Sequence, residues 1–262
     1  MSASEQSEAT ADRDDWDAHW DQYAVAAQYN PAQAYRRRLA LTLLEHGGAP
    51  ERLLDIGSGQ GDFLAAAGER WPAAELMGIE ASNHGNAIAQ GKAPSGTFEL
   101  VDLSVEVVPP LRLAGWATHA VCSEVLEHVD EPVSFLRNAR AYLAGGALIV
   151  VTVPGGPMSS FDHEIGHRRH YTPDLLRRTL EDAGLQAAES FGAGFPFFNL
   201  YRRLVIARGE RLAGDVSSWD GRPAPLARAA MAAFHPLLGA SLTRSRWGTQ
   251  IVGIAHEPRS AS

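Results

Sequence analysis

The sequence predicts an α/β fold built on a mostly parallel β-sheet with helices on both faces. Three observations support this prediction. Short apolar runs of strand character alternate with helical stretches between residues 51 and 191, which is the order expected of a parallel sheet. A glycine-rich turn, DIGSGQGD, lies where the first apolar run passes into its helix. An acidic residue stands at or near the end of each of the first three strands.

The individual elements follow from apolar runs and from the residues that begin and end them. Strands are predicted over RLLDIG, AELMGIE, TFELVD, ATHAVC, ALIVVTVP, LQAAESF and TQIVGIAHE. Helices are predicted over DFLAAAGERW, HGNAIAQGK, VSFLRNARAYLA and PDLLRRTLEDAG. The third of these helices begins at Pro132, because proline suits a first helical turn. It is expected to end at Gly145-Gly146, where glycine readily forms a left-handed cap.

The N-terminal region and one insert depart from this alternation. Residues 1–15 are polar and acidic and are expected to form a disordered tail. Residues 16–48 are expected to form N-terminal helices, one of them over Pro31–His46. Residues 49–262 then make up the α/β domain, with a helical insert at 195–246 before the last strand.

Composition and charge exclude several classes of partner. The 262-residue chain has a formal net charge of −8, most of it within the first 21 residues, so we expect no binding to nucleic acid. Cys122 is the only cysteine, which excludes an internal disulfide and fits a reducing cytoplasm. The sequence shows no signal-peptide pattern and no apolar run of about 18 residues. A cytoplasmic protein, monomeric or homodimeric, is expected.

Glycines and acidic residues surround the carboxyl ends of the first three strands. Gly57, Gly59 and Gly61 allow a sharp turn and let a ligand approach the backbone closely. Glu80 closes the second strand, the position from which a carboxylate binds ribose hydroxyls in such folds. Asp102 closes the third strand, where an adenine amino group would lie. Together they favour a nucleotide-like ligand.

These motifs resemble those of the class I S-adenosylmethionine-dependent methyltransferases over roughly residues 50–190. LLDIGSGQGDFL looks like the first motif of that family, GIEAS the second and ELVDLS the third. The resemblance implies a seven-stranded sheet with its last strand antiparallel, and S-adenosylmethionine as the cofactor. The residues it implies are Asp55, Gly57, Ser58, Gly59 and Gly61 for the methionine portion, Glu80 and Ala81 for the ribose, Asp102 and Leu103 for the adenine, and Ser123 beside them.

The stretch SEVLEH, after the fourth strand, brings two carboxylates and an imidazole to the same edge of the sheet. If it begins a helical turn, Glu124, Glu127 and His128 share one face that points into the cleft. Downstream, DHEIGHRRHYTP supplies Asp162 and further histidines in a loop after the fifth strand, at the same rim. Such ionisable groups are costly to bury unless something pairs with them.

The E-x-x-E-H pattern resembles that of the ubiquinone-pathway O-methyltransferases and the small-RNA 2′-O-methyltransferases. That resemblance implies a divalent ion, Mg or Mn, whose ligands would be Glu124, Glu127, His128 and His167, with His163 as an alternative to His167. A cation bound to an alcohol lowers its pKa, and a neighbouring imidazole can then accept the proton. The candidate catalytic bases are His128, His163, His167 and His170. A metal-free site that uses one of these histidines, and a structural role for the motif, remain open.

Substrate choice is expected to come from residues 16–46, the histidine-bearing loop and the 195–246 insert. The aromatic residues of the insert either line an apolar pocket, rest on a lipid surface or pack in the core; they are Phe195, Phe197, Phe198 and Tyr201. On a lipid surface, Arg202 and Arg203 would lie near the headgroups. The expected acceptor is a hydroxyl of a small metabolite, a glycan or glycolipid, or a phenol, and a lipid-like acceptor would bring peripheral membrane contact. Methylation of nitrogen or carbon without a metal, and a non-catalytic binding protein, are the alternatives.

Overall fold

The computed structural model describes residues 30–217 and 225–259, and for 208–217 and 225–230 it describes the backbone alone. The acidic tail predicted over 1–15 and the first part of the predicted N-terminal helices lie outside the described residues.

A seven-stranded sheet forms the centre of the molecule. Its strands are β1 (Arg52–Ile56), β2 (Glu75–Glu80), β3 (Gly96–Leu100), β4 (Ala117–Ser123), β5 (Leu143–Pro154), β6 (Gln186–Ala193) and β7 (Gln250–His256). Their order across the sheet is β3-β2-β1-β4-β5-β7-β6. The pairings of β1 to β5 are parallel, whereas β7 pairs antiparallel with both β5 and β6. The predicted sheet, with its last strand antiparallel, is confirmed.

Helices cover the sheet and precede or follow its strands. They are α1 (Pro31–Leu44), α2 (Asp62–Arg70), α3 (Asn83–Lys92), α4 (Pro132–Arg140), α5 (Ser160–Glu164), α6 (Pro173–Asp182), α7 (Phe197–Ser217) and α8 (Pro225–Gly239). α1 begins as predicted at Pro31, where the Asn30 side-chain oxygen accepts a hydrogen bond from the Ala32 N–H at 3.0 Å. None of the described helices is both long and apolar enough to cross a membrane.

The core lies on both faces of the sheet, as β5 illustrates. Ile149, Val151 and Val153 pack on one face, and Leu148 and Val150 on the other, because successive strand residues point to opposite sides. In a strand that is covered on both faces, nearly every residue is apolar. This explains why ALIVVTVP is the most apolar stretch of the chain.

Two local predictions were wrong. The helix that begins at Pro132 ends at Arg140 instead of reaching Gly145, and β5 already begins at Leu143. The reason is a long-range pairing, since the Ala117 N–H donates to the Tyr142 carbonyl at 2.8 Å and draws the chain into the sheet. The two glycines then lie in an irregular start of β5, not in a helix cap. The segment at 160–164, predicted as loop, forms the short helix α5.

The topology brings one edge of the sheet together as a site. The carboxyl ends of β1, β2, β4 and β5 point the same way because these strands are parallel. β7 runs in the opposite direction, so its first residue, Gln250, pairs with Pro154 at the end of β5. Gln250 is thereby placed at the same edge.

Candidate active site

A cleft of 910 Å³ runs along the carboxyl ends of the strands. α1, the glycine turn, the ends of β2 and β4, the histidine-bearing loop and α7 all contribute to its walls. The predicted site residues that line it are Asp55, Gly57, Ser58, Gly59, Glu80, Ala81, Asp102, Leu103, Ser123, Glu124, Glu127, His128 and His167. Gly61, His163 and His170 do not line it.

The glycine turn between β1 and α2 has a backbone that requires glycine at two positions. Gly57 has a φ of 73° and Gly61 a φ of 76°, in the region that other residues rarely adopt. A Cβ atom at Gly57 would lie 2.6 Å from Cγ2 of Val125, and one at Gly61 would lie 2.8 Å from the Ala89 Cβ. Gly57 thus lets the turn pass close to the loop after β4, and Gly61 lets α2 begin against α3.

Glu80 ties this turn to the end of β2. Its carboxylate is 7% exposed and accepts a hydrogen bond from the Gly59 N–H at 2.8 Å. The other oxygen accepts from the N–H groups of Ala81 and Ser82, each at 3.0 Å. The carboxylate therefore fixes the turn and remains on the cleft wall.

Asp55, near the end of β1, is buried beside Glu80. Burial and the nearby charge of Glu80 raise the pKa of the Asp55 carboxyl to about 8. A ligand that brings a positive charge to this place would favour the ionised carboxylate. A cationic group of a ligand would therefore be stabilised beside Asp55 at the bottom of the cleft.

Three of the remaining candidates, Asp102, Leu103 and Ser123, are held by local hydrogen bonds. Asp102 accepts from the Ser104 N–H at 2.8 Å. The buried Leu103 gives its carbonyl to the Asn138 side-chain amide at 2.9 Å. The Ser123 hydroxyl lies 2.8 Å from that of Thr152.

The expected helical turn at SEVLEH does not form. Glu124 has a φ of 58°, in the left-handed region. Its carboxylate makes an ion pair with Arg36 of α1 at 2.9 Å and accepts hydrogen bonds from Gln250 Nε2 at 2.7 Å and Thr152 Oγ1 at 3.2 Å. The Glu124 carboxylate is therefore bound to side chains of α1, β5 and β7, and it is not part of the cluster formed by Glu127, His128 and His167. This corrects the prediction that all three residues share one helical face.

Glu127 is the most unusual ionisable residue of the cleft. Its side chain is fully buried, and neither carboxylate oxygen has a hydrogen-bond partner among the described residues. Burial, together with the charge of Glu124, raises the pKa of Glu127 well above its ordinary value. One ligand atom each of Glu127, His128 and His167 lie within 4.8 Å of one another. A buried carboxylate is stable only if a proton or a cation compensates its charge.

The histidine-bearing loop presents His167 to this cluster and His170 behind it. His167 Nδ1 lies 3.1 Å from His170 Nε2, and Asp162 Oδ1 lies 3.7 Å from both. His170 Nδ1 is 3.0 Å from the Gly156 carbonyl and donates to it. Burial and the neighbouring His128 lower the pKa of His167 to about 3, so its imidazole is neutral at pH 7. His163 is exposed on α5 and points out of the cluster.

Comparison with known proteins places these features in a family. A family model described as a methyltransferase domain matches residues 26–190. The chain belongs to the class I S-adenosylmethionine-dependent methyltransferases. It is 31% identical to a trans-aconitate 2-methyltransferase of Methylobacterium nodulans, over 73% of this chain and 69% of the relative.

Two further proteins are similar to this methyltransferase, one in sequence and one in fold. A ubiquinone biosynthesis O-methyltransferase of Dinoroseobacter shibae is 29% identical over 55% of the chain, and the match spans 63% of that relative's length. The solved structure of phosphoethanolamine N-methyltransferase 2 of Haemonchus contortus, in complex with S-adenosyl-L-methionine, superimposes with a TM-score of 0.57. That likeness covers 93% of this chain and 60% of the other at 14% identity, and it supports the fold alone.

Sequence reasoning missed several residues that build the cleft of this methyltransferase. Arg36 and Gln250 were not candidates, although a glutamine at the start of an apolar strand is a signal of a buried polar role. Arg202, considered for lipid headgroups, is turned inward, 3.6 Å from Asp162, and donates to the Gly155 carbonyl. Phe198 is buried and packs on α1, which agrees with the core alternative for this residue.

Proposed function

We propose that this methyltransferase transfers the methyl group of S-adenosylmethionine to a hydroxyl oxygen, with the help of a divalent cation such as Mg or Mn. The acceptor class is a small metabolite, a glycan or glycolipid, or a phenol. The observation that carries the proposal is the Glu127 carboxylate, buried with no hydrogen-bond partner in the described part of the chain and beside two imidazoles.

The cofactor would lie along the first three strand ends. The glycine turn would hold the methionine portion, with the buried Asp55 near its positively charged groups. Glu80 and Ala81 would face the ribose, and Asp102 with Leu103 the adenine. This arrangement is supported by the cleft, which these residues line continuously, and by the general rule that ligands of open α/β sheets bind at the carboxyl ends of the strands.

The residues present fit a divalent cation at Glu127, His128 and His167. A carboxylate and two imidazoles are suitable ligands for such ions. The low pKa of His167 favours its role as a ligand over that of a base, because its imidazole takes up a proton only in strong acid. We leave Glu124 out of the ligand set, since Arg36, Gln250 and Thr152 occupy its carboxylate. When bound, the cation would lower the pKa of the acceptor hydroxyl. The hydroxyl proton would pass to water in the cleft, the new C–O bond would form as the C–S bond breaks, and S-adenosylhomocysteine would be the leaving group.

The histidines and Asp162 behind this cluster would orient His167. The hydrogen bond from His170 to the Gly156 carbonyl leaves His170 Nε2 as an acceptor for the Nδ1–H of His167. The other nitrogen of His167, Nε2, then carries the lone pair that a cation requires. His163 is exposed, so we do not propose it as a base or a ligand.

A second candidate is metal-independent transfer to nitrogen or carbon. The ion pair of Arg36 with Glu124 favours it, because it removes one of the four ligands that the E-x-x-E-H resemblance implies. The name of the ubiquinone biosynthesis relative supports oxygen as the acceptor, within the 63% of that relative that the match spans. We therefore place oxygen first.

Transfer of a labelled methyl group to an extract of small molecules tests both candidates. We expect labelled product from the wild-type protein with Mn²⁺, and little product with an excess of chelator or in Glu127→Gln. Glu164→Gln is the matched control, because Glu164 is exposed on α5 and makes the same change of charge. Equal product with and without chelator would contradict the metal and favour the second candidate.

A further inference from the structure

Two polar side chains of α1, those of Gln33 and Arg37, line the cleft. Both are half-buried. They are four residues apart, so they lie one above the other on the same face of the helix. Neither side chain has a hydrogen-bond or ion-pair partner among the described residues, although an amide and a guanidinium are strong donors.

The other arginines that line the cleft are already paired. Arg36 binds Glu124 and Arg168 binds Asp130. Arg202 lies 3.6 Å from Asp162. Among the side chains that the structure describes, those of residues 30–207 and 231–259, no carboxylate compensates the charge of the lining Arg37 guanidinium. A half-buried positive charge in that position favours an anionic ligand.

Part of the wall that the insert contributes is apolar. Val205 and Ile206 of α7 and Met231 of α8 line the cleft, and Phe198 lies below them at the start of α7. Because α8 packs against α1, this hydrocarbon and the donors of α1 line the same cleft, where one ligand can meet both. Such a division fixes the orientation of a molecule with one apolar and one charged end.

From this arrangement we infer that the methyl acceptor is an amphipathic anion, with a carboxylate or phosphate bound by Arg37 and Gln33 and an apolar body against α7 and α8. The guanidinium offers two parallel N–H donors to two oxygens of the anion, and the Gln33 amide offers a third. This inference deepens the proposed function, on which it rests for the identity of the acceptor site.

Binding of simple probes tests the inference without knowledge of the acceptor. Octanoate, octyl phosphate and octanol share one apolar chain and differ in the head group. Each is titrated calorimetrically into the protein with and without S-adenosylhomocysteine. We expect the two anions to bind at least about tenfold more tightly than octanol, and Arg37→Ala to remove that preference, a loss of about tenfold to a hundredfold. The better of the two anions distinguishes a carboxylate from a phosphate acceptor.

Two variants provide matched comparisons. Arg203→Ala removes the same charge from α7 at an exposed position outside the cleft, and it should keep the preference for anions. Arg37→Lys keeps the charge but loses the paired donors, and it should lie between wild type and Arg37→Ala. Octanol binding as tightly as octanoate, or equal losses in Arg37→Ala and Arg203→Ala, would overturn the inference.

The same titrations separate failure of this inference from failure of the proposed function. If S-adenosylhomocysteine binds and the anions show no preference over octanol, the inference alone is wrong. If S-adenosylhomocysteine does not bind while octanoate binds through Arg37, the anion site stands and the proposed function is wrong.

Discussion

Arg36 and Glu124 form an ion pair that joins α1 to the loop after β4, with 2.9 Å between Nη2 and Oε2. Gln250 bridges them, since its Oε1 accepts from the Arg36 Nε and its Nε2 donates to Glu124. Glu124 has a φ of 58°, a conformation that costs a non-glycine residue about 1–3 kcal/mol. The three side chains therefore hold a strained residue in place at the edge of the cleft.

Loss of this ion pair should destabilise the fold. We expect Arg36→Ala to lower the free energy of unfolding by about 1–3 kcal/mol, because a largely buried Glu124 loses its countercharge. Urea denaturation measures the change. In the control, Arg177→Ala removes the exposed pair with Glu181 on α6 and should cost less than about 0.5 kcal/mol. Equal costs would show that the buried pair does not hold the loop.

The glycine turn should tolerate no side chain at Gly57. In Gly57→Ala the new Cβ would meet Val125 at 2.6 Å with φ at 73°, so we expect a loss of about 1–3 kcal/mol in stability and at least about tenfold weaker binding of S-adenosylmethionine. Gly91→Ala, in α3 with nothing within 4 Å of its added Cβ, should instead stabilise by about 0.5–1 kcal/mol. Calorimetry and urea denaturation measure the two effects, and similar outcomes for both variants would contradict the role of the turn.

The buried Asp55 should make the ligand-free protein less stable as the pH rises. Its folded-state pKa of about 8 exceeds the ordinary 3.8, so between these values the folded state holds a proton that the unfolded state has lost. The contribution of this group to stability is full below about pH 4 and falls between about pH 4 and pH 8, by up to about 1.4 kcal/mol per pH unit. Asp55→Asn should flatten that fall relative to wild type in urea denaturation at pH 5, 6, 7 and 8. Parallel profiles would contradict the raised pKa.

His170 should hold the His167 ring in the orientation that binds a metal ion. We expect His170→Ala to weaken Mn²⁺ binding by about 10- to 100-fold, because His167 loses the acceptor at 3.1 Å that orients its ring. His163→Ala removes an exposed imidazole from the same loop and should leave Mn²⁺ affinity unchanged. Calorimetry with Mn²⁺ alone measures both, and identical affinities in the two variants would contradict the orienting role.

The strands of the sheet were predicted well, because the apolar runs and glycines that indicate them depend on burial and backbone geometry at those same residues. Burial on both faces makes residues 147–151 of β5 apolar without interruption, and the turn geometry favours glycine at Gly57 and Gly61. The end of α4 was missed because pairing of Tyr142 with Ala117 decides it. The direction of Glu124 was missed for the same kind of reason. Its partner Gln250 lies 126 positions away in the chain, a contact that the spacing of E-x-x-E-H does not encode.

Aromatic residues of the insert show the same limit. Their spacing predicts a helix, and α7 forms. The spacing of these aromatic residues does not show which face of α7 meets the cleft, because that face is decided by the contacts of α7 with α1. Phe198 packs against Tyr35 with ring centroids 5.0 Å apart, while Tyr201 donates to the Asn30 side chain at 3.1 Å. These contacts turn Arg202 inward and leave Arg203 in solvent.

The central claim is that Glu127, His128 and His167 hold a divalent cation beside the methyl donor. Crystals grown with S-adenosylhomocysteine and soaked in Mn²⁺ test it most directly through anomalous scattering at the manganese edge. We predict a peak about 2 Å from a Glu127 oxygen and within bonding distance of both imidazoles. A cleft that contains S-adenosylhomocysteine but shows no anomalous peak at Glu127, or a peak on other residues, would contradict the account.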